Sequence, residues 1–173
     1  MKKLWLSLAL LGLLTGCGAQ ESYETVADVP VQPVSAAMQQ ILLDLPEDVA
    51  APVLETPEGG ALYVCDGYSL SVQTWDAGDL DNTLRMATGF AKENLQIIQT
   101  RQGDAQRYES VWAAAGDPQL QVGRVCVLDD GSYHYVLTAM ADSDLAGQLR
   151  DSWDVLFSSF RLTDADANIN IGS

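Results

Sequence analysis

The sequence predicts an α+β domain in which an antiparallel β-sheet meander is covered by two helices. Strand-like segments and helical segments occur in the order strands, helix, several strands, helix. Short turns separate the consecutive strand candidates, which favours antiparallel pairing between neighbours. The last segment before the C-terminal tail carries an apolar stripe at helical spacing, as expected of a helix that packs on a sheet.

The first part of the domain predicts short extended segments. The apolar-rich segment 38–45 is read as a first strand, with a short helix as the alternative. Residues 51–55 form a second short extended segment, and the Pro- and Gly-containing segment 56–60 predicts a turn after it.

A β-hairpin is predicted next. Segments 61–65 and 68–75 are separated by Asp66 and Gly67, a two-residue spacing typical of tight hairpins. In the second strand, apolar and polar side chains alternate, which predicts one buried and one solvated face. The residues expected on the buried face are Tyr68, Leu70 and Val72, and those expected on the solvated face are Ser69, Ser71 and Gln73.

A first helix is predicted from Asp79 to about Asn94. Asp79 is a suitable N-cap residue, and Asp81 lies in the first turn, where the helix dipole favours negative charge. Apolar residues recur at helical spacing at Leu80, Leu84, Ala87 and Ala91. Strand character returns over 95–99, and a turn is expected at 102–104.

The second half predicts three consecutive strands and a terminal helix. The strands are expected at 107–115, 120–128 and 132–140, with turns at 116–118 and 129–131 between them. The helix is expected at 142–160, and its apolar stripe consists of Leu145, Leu149, Trp153, Leu156 and Phe160.

The N-terminus predicts a secretory signal. Lys2 and Lys3 precede the apolar run 4–14, which is shorter than the roughly 20 residues that span a bilayer. The sequence Leu14-Thr15-Gly16-Cys17 resembles the bacterial lipobox, and this resemblance implies that the Cys17 thiol carries a diacylglyceryl group and that the chain is cleaved before it. An ordinary signal peptide with an incidental cysteine is the alternative.

These features divide the chain into four parts. Residues 1–16 are expected to be a lipoprotein signal peptide, 17–36 the lipidated cysteine and an acidic tether, 37–162 a single α+β domain, and 163–173 a flexible polar tail. The tail alternates Asp and Asn like the start of a calcium loop, but Ile169 stands where such a loop needs glycine, so a frayed tail is the preferred interpretation.

The chain is strongly acidic. The formal charge of the 173 residues is −15, and removal of Lys2 and Lys3 with the signal leaves seven basic and 24 acidic residues, or −17 (7 − 24). Such a surface argues against nucleic acid as a partner and against attraction to anionic lipid headgroups, which both require clustered Lys and Arg. The protein would therefore be held at the membrane by its lipid, and its acidity would serve solubility.

The segment 131–139, Gly-Ser-Tyr-His-Tyr-Val-Leu-Thr-Ala, and the helix ending in 153–162, Trp-Asp-Val-Leu-Phe-Ser-Ser-Phe-Arg-Leu, resemble the end of PsbP-like domains, which include envelope lipoproteins of the LpqN type. The resemblance implies a PsbP-like α/β sandwich and a role in binding or assembly, and it brings no catalytic residue set with it. The chain lacks the aromatic-rich early segment of the photosynthetic members, which argues against a photosystem role.

Few residues suggest chemistry. Cys65 and Cys126 lie in predicted strands outside the cytoplasm, where they could form a disulfide or remain as two buried thiols. A redox pair is disfavoured, because no Cys-x-x-Cys motif is present. His134, the one histidine, is expected to be a packed or surface residue of a strand. We expect no catalytic residue, no metal site and no cofactor, because no nucleophile–base spacing, metal-ligand motif or phosphate-binding loop is present.

The sequence therefore favours a non-enzymatic binding or accessory module, lipid-anchored on the extracytoplasmic face of the cell membrane. Its expected partners are the membrane, through Cys17, and an envelope protein or small ligand. An envelope hydrolase that uses paired carboxylates is the alternative from another class.

Replacing the lipidated residue tests the anchoring. Cys17→Ser should move the protein from the membrane fraction to the soluble fraction without unfolding it, because acyl chains and not a spanning helix hold it. Fractionation and circular dichroism measure the two effects. Retention of the variant on membranes would contradict the prediction.

Overall fold

The computed structural model describes residues 37–57, 59–114 and 120–163. The predicted signal peptide 1–16, the tether 17–36 with Cys17, the turn at 116–118 and all of the tail after Thr163 lie outside the described residues.

The described chain forms nine strands and two α-helices. They are, in order, β1 (Ile41–Leu42), β2 (Leu54–Glu55), β3 (Ala61–Val64), β4 (Tyr68–Asp76), α1 (Leu80–Thr88), β5 (Ile98–Gln102), β6 (Ala105–Ala114), β7 (Gln121–Asp129), β8 (Tyr133–Asp142), α2 (Ser143–Ser159) and β9 (Arg161–Leu162). Seven strands form one sheet in the order β2-β3-β4-β8-β7-β6-β5, and β1 pairs with β9 separately. Every pair is antiparallel, which confirms the predicted fold class.

The sheet lies between the two helices. Cys126 and Leu128 of β7 pack in one cluster with Trp153 and other residues of α2. The alternate residue Val127 packs in a second cluster with Leu84 of α1. Successive side chains of a strand point to opposite faces, so each helix covers its own face of the sheet.

The predicted end of the first helix was wrong. Helix α1 ends at Thr88 and not near Asn94, because Gly89 adopts a left-handed conformation with φ of 80° and donates its N–H to the Arg85 carbonyl at 2.8 Å. Glycine takes this conformation without steric cost and commonly ends helices in this way. A short 3-10 helix, Lys92–Asn94, follows. The predicted N-cap is confirmed, since the Asp79 carboxylate accepts a hydrogen bond from the Asp81 N–H.

Two strand predictions needed correction. The strand expected at 95–99 is instead β5 (Ile98–Gln102), because Leu95 and Ile97 pack against the α1-side cluster before it. The strand expected at 38–45 is confirmed as extended but contains only Ile41–Leu42, paired with β9, and the helical alternative was wrong.

The hairpin, the meander and the terminal helix are confirmed. β3 and β4 pair across Asp66 and Gly67, and Gly67 has a φ of 79°. The two predicted faces of β4 are also confirmed, since Tyr68, Leu70 and Val72 are buried and the residues between them are not. On α2, the expected stripe is buried at Trp153, Leu156 and Phe160 and half-buried at Leu145 and Leu149. Within the described part of the chain, no helix has the length and apolar character needed to cross a membrane.

Truncating the main apolar anchor of α2 tests its packing. Trp153 is 5% exposed, so Trp153→Ala should lower the free energy of unfolding by about 3–5 kcal/mol. Val155 lies on the same helix with 65% exposure, so Val155→Ala should change it by about 0.5 kcal/mol or less. Urea unfolding measures both, and equal effects would contradict the packing of α2 on the sheet.

Candidate functional site

The sheet has a notch at its β4 edge. Pairing between β3 and β4 reaches only to Ala61 opposite Val72, whereas pairing between β4 and β8 continues to Asp76 opposite Tyr133. Among the described residues, 73–76 therefore have a strand on one side and none on the other. We call this gap at 73–76 the notch.

The turn before β3 creates the notch. The Thr56 carbonyl accepts a hydrogen bond from the Gly59 N–H at 3.0 Å, and the Thr56 hydroxyl accepts one from the Gly60 N–H at 3.0 Å. Gly59 has a φ of 79°, which glycine adopts without strain. A Cβ on Gly60 would lie 2.8 Å from the Thr56 hydroxyl oxygen and 3.3 Å from the Val72 carbonyl oxygen. The chain therefore curls onto Thr56 here and cannot continue alongside β4.

Backbone groups that no described strand pairs point into the notch. The Cys65 N–H donates to the Tyr68 carbonyl, so Tyr68 and every second residue after it direct their backbone groups toward β3. On the other side, the Ala77 N–H donates to the Ser132 carbonyl, which places the odd-numbered residues toward β8. By this alternation, the N–H and carbonyl groups of Thr74 and Asp76 point into the notch.

A pocket of about 570 Å³ lies at the notch. Its size is within the range of about 300–1,000 Å³ that is usual for ligand pockets. Its apolar lining includes Met38, Leu54, Leu62, Val72, Trp75 and Tyr133. Gln73, Thr74 and Asp76 contribute polar groups. The pocket thus combines apolar walls with an open strand edge.

A buried carboxylate supports one wall of the pocket. Asp130 is 1% exposed and accepts hydrogen bonds from the Tyr133 N–H, the Tyr135 hydroxyl and the Gln39 side-chain amide. The Gln39 N–H in turn donates to the Tyr135 hydroxyl at 2.8 Å. Burial, and then the bond to Asp130, raises the pKa of Tyr135 above its ordinary value. These bonds hold the pocket residue Tyr133 in place, and they also hold Met38, which precedes Gln39. They confirm 129–131 as a hairpin turn.

The β4 edge of the sheet carries acidic and no basic side chains. The seven basic residues of the chain after Cys17 are confined to 85–161, and none occurs between Leu4 and Leu84. The strands β2, β3 and β4 therefore contain no basic residue. The notch contains Asp76 and lies close to Glu55, which is exposed beside the lining residue Leu54. Its potential is expected to attract cations.

The structure also aligns a hydroxyl, an imidazole and a carboxylate. The Thr83 hydroxyl lies 2.7 Å from His134 Nδ1, and His134 Nε2 lies 3.6 Å from an oxygen of Asp129. The order of the three groups is that of a catalytic triad, but the two imidazole nitrogens have exchanged partners. However, Thr83 is 3% exposed and His134 is 1% exposed, so no substrate can reach the hydroxyl. The three groups connect α1 to the β7–β8 turn, and the expectation that His134 is packed is met.

Two described carboxyl groups, Asp81 and Asp129, have shifted pKa values, and both pKa values are lowered. Bonding to the Lys92 backbone N–H, and then to Arg85, lowers the pKa of Asp81. Burial tends to raise the pKa of Asp129, but the nearby His134 imidazole and a hydrogen bond from the Gly131 N–H outweigh it and lower that pKa. A hydrolase that uses paired carboxylates needs one with a raised pKa to act as the acid. Neither group has that property.

The two cysteines do not form a disulfide in this structure, where both are free thiols. Cys126 is in β7, whereas Cys65 follows β3, and β8 and β4 lie between these strands. Strand spacing alone separates them by about 14 Å, twice the limit of about 7 Å between bridged Cα atoms. Burial raises the pKa of the Cys126 thiol to about 12. In the described residues, no group of three or more His, Cys, Asp and Glu could hold a metal ion.

The sequence interpretation missed the notch residues Thr74 to Asp76 as a site. One signal was present, because the predicted hairpin strands 61–65 and 68–75 differ by three residues in length. A longer strand in a hairpin leaves part of its edge unpaired unless another segment covers it.

One solved structure shows a similar fold. The crystal structure of LpqN, involved in cell envelope biogenesis of Mycobacterium tuberculosis, aligns with a TM-score of 0.53 and 16% identity over 76% of this chain and 87% of that chain. A protein from Bacteroides thetaiotaomicron aligns with a TM-score of 0.49 and 8% identity over 73% of this chain and 46% of that one. The similarity to LpqN confirms the predicted LpqN-like domain at the level of fold. No family model and no curated protein matches the chain.

The carboxylate beside His134 should make stability depend on pH. Because the folded-state pKa of Asp129 is lowered, its contribution is present above the ordinary value of about 3.9 and is lost as the pH falls through the folded-state pKa. Asp129→Asn should therefore flatten the fall in unfolding free energy below about pH 4. Urea unfolding across this range measures the slope, and an unchanged slope would contradict the prediction.

Proposed function

We propose that the protein is a non-enzymatic envelope lipoprotein that is anchored on the extracytoplasmic face of a cell membrane through acylated Cys17 and binds a partner at the notch. The observation that carries this proposal is the pocket of about 570 Å³ beside an unpaired strand edge. Pockets of this size with apolar walls and a few polar groups are the usual form of a binding site.

Two further observations support an envelope role. The lipobox resemblance at 14–17 supports export from the cytoplasm and anchoring on a membrane. LpqN, whose fold is similar, is described as involved in cell envelope biogenesis. Fold similarity alone does not transfer a function, so the anchor and the notch carry the proposal.

A binding role fits the described residues better than the hydrolase alternative. The hydroxyl–imidazole–carboxylate row that the structure assembles is buried, and the two carboxyl groups with shifted pKa values are more acidic than usual. Neither arrangement offers an accessible nucleophile or a general acid.

Site-specific photo-crosslinking in intact cells tests the proposal. A benzophenone amino acid would replace Leu54, which lines the pocket and is 58% exposed, and in a control it would replace Ile98, which is 68% exposed on the opposite edge strand. The Leu54 variant should give a discrete crosslinked product in the membrane fraction that the Ile98 variant does not give. The same pattern from both positions, or no product from Leu54, would contradict a partner at the notch.

A further inference from the structure

We propose that the notch binds an extended cationic peptide segment, which adds to β4 as an antiparallel strand opposite Thr74 and Asp76. This inference rests on the proposed function, because it names the class of partner for the same site. It follows from the register of the sheet, the lining of the pocket and the distribution of charge.

The register defines where the added strand would lie. Ala61 is opposite Val72, so in a longer β3 residues 59 and 57 would be opposite Thr74 and Asp76. The turn at Thr56 withdraws these residues from β4. An incoming segment in their place would receive two N–H groups and two carbonyl groups from β4. Addition of an extended peptide to an exposed sheet edge uses this main-chain pairing.

The side chains around the notch specify a pattern. Asp76 and Trp75 point to opposite faces of the sheet, because they are neighbours in a strand. A residue opposite Asp76 is favoured if it is basic, since opposite charges on facing strands attract. The adjacent residue of the segment is opposite Trp75, where the apolar lining favours an apolar side chain. The preferred segment therefore alternates basic and apolar residues.

Charge distinguishes this segment from other occupants. The chain's own segment 17–36 contains three acidic and no basic residues, and its Pro30 and Pro33 lack the N–H that a strand partner needs. A second copy offering its β4 edge would bring another Asp76 to the notch. The β5 edge of a second copy does contain a basic residue, Arg101. The test therefore includes self-association through this edge as one of its outcomes.

The test uses a fluorescein-labelled hexapeptide of alternating lysine and valine, with binding to the full chain followed by fluorescence anisotropy. The lysines are opposite Thr74 and Asp76 in the proposed register, so their N–H groups face β4. N-methylation of the lysine amides should weaken binding by about tenfold or more, the effect of two lost hydrogen bonds. N-methylation of the valine amides is the matched control and should leave binding unchanged, and a glutamate–valine peptide should not bind.

Variants of the protein give an independent result. Thr74→Pro removes one edge N–H and should weaken binding about fivefold, while Gln99→Pro, at the opposite edge on β5, should not. Asp76→Asn should weaken binding at low salt and reduce its salt dependence, whereas Asp104→Asn, at an exposed position in the β5–β6 turn, should change neither. Hydrogen exchange of the Thr74 and Asp76 amides should slow when the peptide binds.

Several outcomes would overturn the inference. They are absence of peptide binding, equal binding of the two N-methylated peptides, binding of the acidic peptide, or self-association that Arg101→Gln abolishes. The comparison of the two N-methylated peptides uses the unaltered protein. It therefore tests the inference even if the Thr74→Pro variant fails to fold. If peptide binding fails while crosslinking from Leu54 persists, the cationic strand is wrong and the proposed function stands. Failure of both would remove the proposed function as well.

Discussion

The structure depends on a buried guanidinium group at the C-terminal end of α2. Arg107, on β6, donates hydrogen bonds to the carbonyl oxygens of Phe157 at 2.6 Å and Phe160 at 3.1 Å. The last carbonyls of a helix have no partner within the helix, and its dipole favours a cation there. Glu109 accepts a bond from the same guanidinium at 2.6 Å, so the charge is paired as well as buried. Loss of one member of such a pair costs about 3–5 kcal/mol, because it leaves the other charge uncompensated.

This contact also positions the notch, although the notch is on the other half of the sheet. Fixing Phe160 directs the next two residues, Arg161–Leu162, into β9, where they pair with Ile41–Leu42. Pairing with β9 holds the segment that begins the described domain against the sheet, and Gln39 then bonds to Tyr135 and Asp130. The wall formed by Met38 therefore depends on contacts that join the two ends of the domain.

Local patterns predicted most of the fold, and long-range contacts account for the rest. The Asp66-Gly67 hairpin, the three-strand meander and α2 were predicted because each has its signal within a few residues. The predicted end of α1 was wrong, because the left-handed conformation of Gly89 ends the helix although the apolar pattern continues beyond it. The β1–β9 pair joins residues about 120 positions apart, and no local signal specifies such a pairing. The notch required the register of two neighbouring strands, which strand prediction does not give.

The acidic residues show why composition alone did not reveal the site. With 24 of them in the chain, abundance distinguishes none. The structure distinguishes these acidic residues by the groups that they bind. Asp130 is buried and its oxygens accept bonds from the backbone and from Tyr135, so it is committed to the structure. Asp129 is committed to His134 and Gly131. Asp76, in contrast, is exposed at an open strand edge and pairs with no cation among the described residues. The Asp76 carboxylate is therefore available to a positively charged ligand. The backbone groups beside it, which no described strand pairs, are available to the same ligand if it is an extended strand.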